Sequence, residues 1–435
     1  MKKIVSLLMC ALLVLSCACA SAVTLEGVEL GARDFEYEAE TRYLITRSKE
    51  WTYGIATTAG EVLAPCSFGA LYYAGHGYFE AINDEGVNCH ALVNERGEVV
   101  IDYLYAAFEM LSDRWCVAVT LEETDGEVYD YSGGFMGGGE HYLITTCDVY
   151  DLYAGAKVGT LTRDQYDSCR AHGAYLYVED RNGDLCVYDE KLQPVECEAE
   201  YLHASFGVEG GKAVNLSNGA AYGEDVTNVS DQYEEGCVVV WTRAGVGMID
   251  YDGNQLIPYQ YDSIGSIHDG YVPVEKDDLY GLYDIAGNKE VVPCLYDEIP
   301  WFGLGTVTRY VFNGYAAVVK DGKVGFVDMN GNVTCEPKYA ESGVTYHGCC
   351  ITVPDIDGSI YIVAADGTQT KTDLTEVYEH SGGDGSILIA ARGEQYGMVD
   401  WHGQEVLPFE YAKYDLEITD YADAVIVDGA LMVVK

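Results

Sequence analysis

Residues 280–297 read Tyr280-Gly281-Leu-Tyr-Asp284-Ile-Ala-Gly287-Asn-Lys-Glu-Val291-Val-Pro293-Cys-Leu-Tyr296-Asp297, and nearly every position has a local physical reading. The stretch up to Asp284 predicts a short strand. Asp284 to Gly287 predicts a hairpin turn, because Gly accepts the positive φ such turns need. Val291-Val-Pro293 predicts a second strand ended by Pro, which cannot donate to a ladder. Tyr296-Asp297 turns the chain again. A third strand then follows, as in Gly270-Tyr-Val-Pro-Val, Gly314-Tyr-Ala-Ala-Val-Val and Ala424-Val-Ile-Val.

The pattern recurs. Its copies hold Gly247, Asp250, Gly253, Pro258 and Tyr261; Gly281, Asp284, Gly287, Pro293 and Tyr296; Gly325, Asp328, Gly331 and Pro337. Two more hold Gly397, Asp400, Gly403, Pro408 and Tyr411, and, near the start, Gly54, Gly60 and Pro65. The second glycines at 253, 287, 331 and 403 are spaced by 34, 44 and 72 residues. The longest step divides evenly at Asp366-Gly367. The middle one carries an insertion at Trp301 to Tyr310. With fainter copies at Arg96-Gly97, Ala154-Gly155, Lys191-Leu192 and Asn218-Gly219, the chain reads as about ten units of roughly 37 residues. Two or three antiparallel strands cannot bury themselves alone, but tandem stacking can. No window combines helical periodicity with caps, so an all-β chain is expected.

This arrangement resembles the WG-repeat family of bacterial proteins, whose units run aromatic-Gly-φ-φ-Asp-x-x-Gly-x-φ-φ-φ-Pro-x-x-Tyr-Asp. The likeness covers most of residues 51–435. The Trp that names the repeat is replaced by Tyr53, Val246, Tyr280, Val324 and Tyr396. The resemblance implies a repeat scaffold used for binding, with no defined reaction.

Both ends of the chain bear on architecture. Met1-Lys2-Lys3, the apolar Ile4 to Leu15 and Ala20-Ser21-Ala22 form a Sec signal, residues 1–22, cut before Val23. A lipobox ending at Cys17 is the alternative, which the bulky Leu15 fits poorly. Residues 23–50 read as a lead-in and 51–435 as the repeats. Arg42 to Thr46 resembles a third strand lacking its predecessors, while Ala430 to Lys435 resembles a first strand lacking its successors. The expectation is a propeller-like ring closed in one composite sheet, with an edge at Tyr43 to Ile45 meeting Leu431 to Val434; an open β solenoid is the alternative.

Composition narrows function. The chain has 435 residues, 71 Asp+Glu against 25 Lys+Arg and a formal net charge of −46. No basic cluster interrupts that field, which argues against nucleic acid and anionic membrane surfaces. The apolar fraction of 49% suffices for a large core, and the only long apolar run is at the N-terminus, so no further membrane span is expected.

No catalytic motif stands out. The nine histidines are scattered without zinc spacing. Gly133 to Glu140 lacks the Lys-Ser/Thr pair of a phosphate loop and reads as an insertion. Asp180, Asn182 and Asp184 fill the first three ligand positions of a calcium loop, but Lys191 stands where the closing Glu belongs, so a plain hairpin turn is the competing reading. Twelve cysteines follow the signal; several sit at interchangeable core positions, so at most one or two disulfides are expected. The functional expectation is an exported, non-catalytic scaffold binding an extracellular protein or glycan without a cofactor. A cationic peptide or polymer would also suit its charge. The alternatives are a carboxylate-dependent glycan hydrolase or lyase and a calcium-stabilised surface protein.

Overall fold

The computed structural model describes residues 25–435 apart from 40, 84–85, 125–130, 133–140, 173–174, 196–205, 216–218, 233–235, 302–308, 356, 379–385 and 420–423. Within these residues the chain forms eleven small antiparallel sheets arranged as a β-propeller, numbered here as blades in chain order. Blades 1 to 5 span residues 34–68, 70–105, 107–162, 168–195 and 206–222. Blades 6 to 10 span 226–261, 263–296, 311–340, 345–371 and 376–411. Blade 11 joins residues 416–434 to the strand Leu25–Gly27. No described helix is long and apolar enough to cross a membrane.

Most blades have four strands, a to d, where sequence reading expects two or three. The missed strand is usually a, which can be as short as Ser263–Ile264 or Val311–Phe312. Two residues leave no periodicity to read. Blade and repeat are also out of frame. The Gly-x-φ-Asp stretch is strand c and the φ-φ-Pro stretch is strand d. The expected third strand is strand b of the next blade, as where Tyr271–Lys276 pairs with Leu279–Asp284.

The first repeat glycine lies opposite a β-bulge. Register shifts flank Gly54, Gly247, Gly281, Gly325 and Gly397, where strand d bows around Pro65, Pro258, Pro293, Pro337 and Pro408. A Cβ on Gly54 would sit 2.6 Å from the Ala64 carbonyl, and one on Gly397 would sit 2.7 Å from that of Leu407. Strand d is a sheet edge, so Pro and bulge together leave it a poor template for another chain. Just before the glycine, Tyr53, Val246, Tyr280, Val324 and Tyr396 stand opposite Phe68, Tyr261, Tyr296, Tyr339 and Tyr411. The position named for Trp is therefore the cross-strand partner of the repeat Tyr or its Phe equivalent.

The core runs between blades. Alternate residues of strand c enter opposite interfaces: Phe326 packs toward blade 9 and Val327 toward blade 7, while Met248 packs toward blade 7 and Ile249 toward blade 5. Cys349 and Cys350 divide the same way. Ten buried clusters join consecutive blades, and the junction of blades 4 and 5, where 196–205 fall, is the one without a described cluster. One cluster joins Leu44 and Ala56 of blade 1 to Ala424, Ile426 and Leu431 of blade 11. The ring is closed.

Closure uses a different strand from the one the sequence suggests. Leu25, Glu26 and Gly27 pair with Val434, Val433 and Met432. Tyr43–Arg47 is no free edge: it lies between Asp34–Tyr37 and Tyr53–Thr57 inside blade 1. The N-terminal partner is only three residues long and carries no repeat signature, so the fuller strand at Tyr43 drew the assignment.

Candidate functional site

Antiparallel blades place their turns alternately. The a–b and c–d turns share one face of the ring, and the b–c turns and d–a connectors share the other. On the c–d face the repeat Asp holds the turn. Asp250 Oδ1 accepts the N–H groups of Asp252 and Asn254 at 3.0 and 2.7 Å. Asp328 does so for Asn330 and Asn332, and Asp400 for His402 and Gln404. Gly60, Gly253, Gly331 and Gly403 adopt φ between +77° and +85°. Gly287 departs from this pattern: Asn288 takes the positive φ of 47°, and Asp284 Oδ1 accepts the Gly287 N–H.

On the opposite face the Asp of Tyr-Asp has a role that sequence reading missed. Asp262 Oδ2 accepts the Asp277 N–H at 2.7 Å, and Asp297 Oδ2 accepts that of Asp321 at 2.5 Å. Each connector thus braces the b–c turn of the blade it enters. Side chains fix both kinds of turn from behind, which leaves the tips free to differ between blades.

The calcium-like residues Asp180, Asn182 and Asp184 share one turn, which the twelfth position does not join. Asp180 Oδ1 accepts the N–H groups of Asn182 and Asp184 at 2.8 and 3.0 Å, in the b–c turn of blade 4. These bonds hold its carboxyl below the usual range. Lys191, the twelfth position, lies beyond strand Leu185–Tyr188 in a separate turn capped by Asp189. Among the described residues no three His, Cys, Asp or Glu side chains gather in a metal-holding group. The segment 133–140, Cys197, His203 and His380 lie outside the described residues. None of the eleven described cysteines forms a disulfide, and most are buried.

The described histidines are spread over blades 2, 3, 4, 7, 9 and 10. His347 is buried with Nε2 3.0 Å from Thr352 Oγ1, and burial depresses its pKa to about 4. His402 lies against Trp401 with Nε2 3.0 Å from Asp366 Oδ2. His90 occupies the Trp position of blade 2, with Nδ1 on Glu80 and Nε2 buried without a partner among the described residues.

One cleft of about 360 Å³ opens on the c–d face between blades 1 and 2. It is lined by Tyr43, His76, Gly77, Tyr78 and the turn from Asn94 to Glu98. Tyr43 donates to Glu95 Oε2 at 2.8 Å, and its ring packs on Tyr73 and Phe79. Burial and then Glu95 raise the Tyr43 pKa, keeping the phenol a neutral donor. Aromatic edges, carboxylates and an amide suit hydrogen bonding to a polar ligand. The cleft escaped sequence reading because its walls come from different blades and share no spacing signal.

Residues 247–280 and 280–323 match the family model described as WG containing repeat. No curated protein matches the chain. Among solved structures the chain is similar to one titled as the eukaryotic initiation factor, at 12% identity over 91% of this chain and 98% of that one, with a TM-score of 0.33. It is also similar to Hsv2 of Kluyvelomyces marxianus, at 10% identity, 47% and 72% coverage and a TM-score of 0.22. BamB from Moraxella catarrhalis gives 13% identity, 86% and 95% coverage and a TM-score of 0.22.

Proposed function

We propose, from WG repeats at residues 247–323 set in a closed ring of sheets, that this chain is an exported, non-catalytic scaffold binding an extracellular or cell-envelope protein or glycan. The observation that carries the reading is the division of labour within the blades that bear the clear repeat. In the five clear copies Gly and Pro recur as a frame, with Asp in four of them, while the turn tips they support vary, as a binding surface built from repeats requires. Export rests on the leader-like residues 1–22. A cut before Val23 would leave strand Leu25–Gly27 to close the ring.

Expression with the native leader, followed by fractionation and N-terminal sequencing, tests export: the chain outside the cytoplasm should begin at Val23. A palmitate-labelled chain beginning at Cys17 would replace secretion with lipid anchoring. Incubation with cell-envelope polysaccharide and protein fractions should give saturable binding without product. Accumulating reducing ends or unsaturated sugars would favour the hydrolase or lyase.

A further inference from the structure

Trp51 breaks the rules of its position. It sits in the b–c turn of blade 1 with φ of 62°, and the residue is 56% exposed. Corresponding turns in blades 7, 8, 10 and 11 give positive φ to Asp277 and Asp278, to Asp321 and Gly322, to Gly393, and to Asp428 and Gly429. Small or short polar residues tolerate that conformation, whereas a bulky ring is strained there. A strained, water-exposed indole is an observation from which a functional hypothesis can start.

Its surroundings are also exceptional for a chain of net charge −46. The Arg33 and Arg47 guanidinium carbons lie 5.2 and 4.7 Å from the Trp51 ring centroid. Asp34 orients both arginines. It takes Arg47 Nε and Nη2 at 2.7 and 2.8 Å and lies 3.5 Å from Arg33 Nε. Arg33 and Arg47 remain partly exposed, and Lys49 lies in the same turn as Trp51.

The geometry points to a binding site for an acidic sugar residue on the b–c face of blade 1, with Trp51 as the stacking platform and Arg33 and Arg47 as carboxylate donors. An indole offers a flat apolar face to the C–H surface of a pyranose. Guanidinium groups match a carboxylate in shape and charge. A peptide anchor would need a pocket, and Trp51 stands on an open turn. The surrounding negative field disfavours a dense polyanion, so the glycan is one whose carboxylates are spaced by neutral sugars. This site deepens the scaffold reading and rests on it.

The test is calorimetric and indole-fluorescence titration of the mature chain with an oligosaccharide alternating uronic acid and neutral sugar. Its carboxyl-reduced counterpart and an acidic peptide serve as comparisons. The oligosaccharide should bind, with the reduced form and the Arg33→Gln variant each weaker by roughly tenfold or more. Trp51→Gly should lose binding yet melt at the same temperature or higher, since Gly relieves the turn. Equal binding by Trp51→Gly, equal binding of the reduced sugar, or binding of the peptide alone would overturn the site. A wild-type chain that binds no oligosaccharide would overturn it too. Cleavage of the oligosaccharide would sink the scaffold reading instead.

Discussion

At the scale of single residues, the two repeat glycines differ in what they protect. Gly397 faces backbone on both sides of the bulge, with the carbonyls of Leu407 and Pro408 2.7 and 2.8 Å from where a Cβ would stand. Gly287 has no positive φ, and its nearest obstacle is the flexible Asp284 carboxylate. Gly397→Ala should therefore cost about 2 kcal/mol and lower the melting temperature by a few degrees, while Gly287→Ala should cost well under half as much. Equal melting temperatures for the two variants would remove the bulge from the account. His347 supplies a second residue-scale test. The unfolded chain takes up its proton near pH 6.5, whereas the fold resists protonation down to about 4. Its stabilising contribution is complete above 6.5 and declines as pH falls toward 4, by about 2 kcal/mol at pH 5. His347→Gln should flatten the fall in melting temperature between pH 7 and 5, and an unchanged slope would assign acid sensitivity to other groups.

At the scale of elements, the turn at Asp180 is a hairpin that braces itself. Asp180→Ala should lower the melting temperature slightly, through loss of a side-chain cap on two backbone donors, and by the same amount in calcium or EDTA. A calcium-dependent rise in melting temperature, lost in this variant, would restore the metal reading. Strands c and d were legible because Gly, Asp and Pro act locally and leave a fixed spacing. Strand a was not, since a pair such as Ser263–Ile264 gains its identity only from its neighbour Tyr271–Lys276. The same limit hid Leu25–Gly27, whose partner lies at the far end of the chain. The candidate sites were hidden for a related reason. Tyr43 meets Glu95 across two blades, and Arg33, Arg47 and Trp51 converge from the bend before strand a, the end of strand b and the b–c turn. Composition makes the chain look uniformly acidic; only folding gathers this small basic and aromatic patch.

At the scale of the whole molecule, everything turns on closure. Blade 11 is completed by residues from both ends of the described chain, and Leu44 and Ala56 of blade 1 seal it from the next position round the ring. Removing 430–435 would expose Ala424–Val427 and release Leu25–Gly27, not the edge at Tyr43 that sequence reading names. Lys435 Nζ pairs with Glu26 Oε2 across this seam. Zero-length carbodiimide coupling of the monomer, followed by peptide mass spectrometry, tests the seam directly. The Lys371–Asp357 ion pair within blade 9 serves as the internal control. A closed ring predicts an isopeptide between Glu26 and Lys435 in the monomeric fraction, formed alongside the control. Formation of the control alone, or of the Glu26–Lys435 link only in oligomers, would contradict the ring.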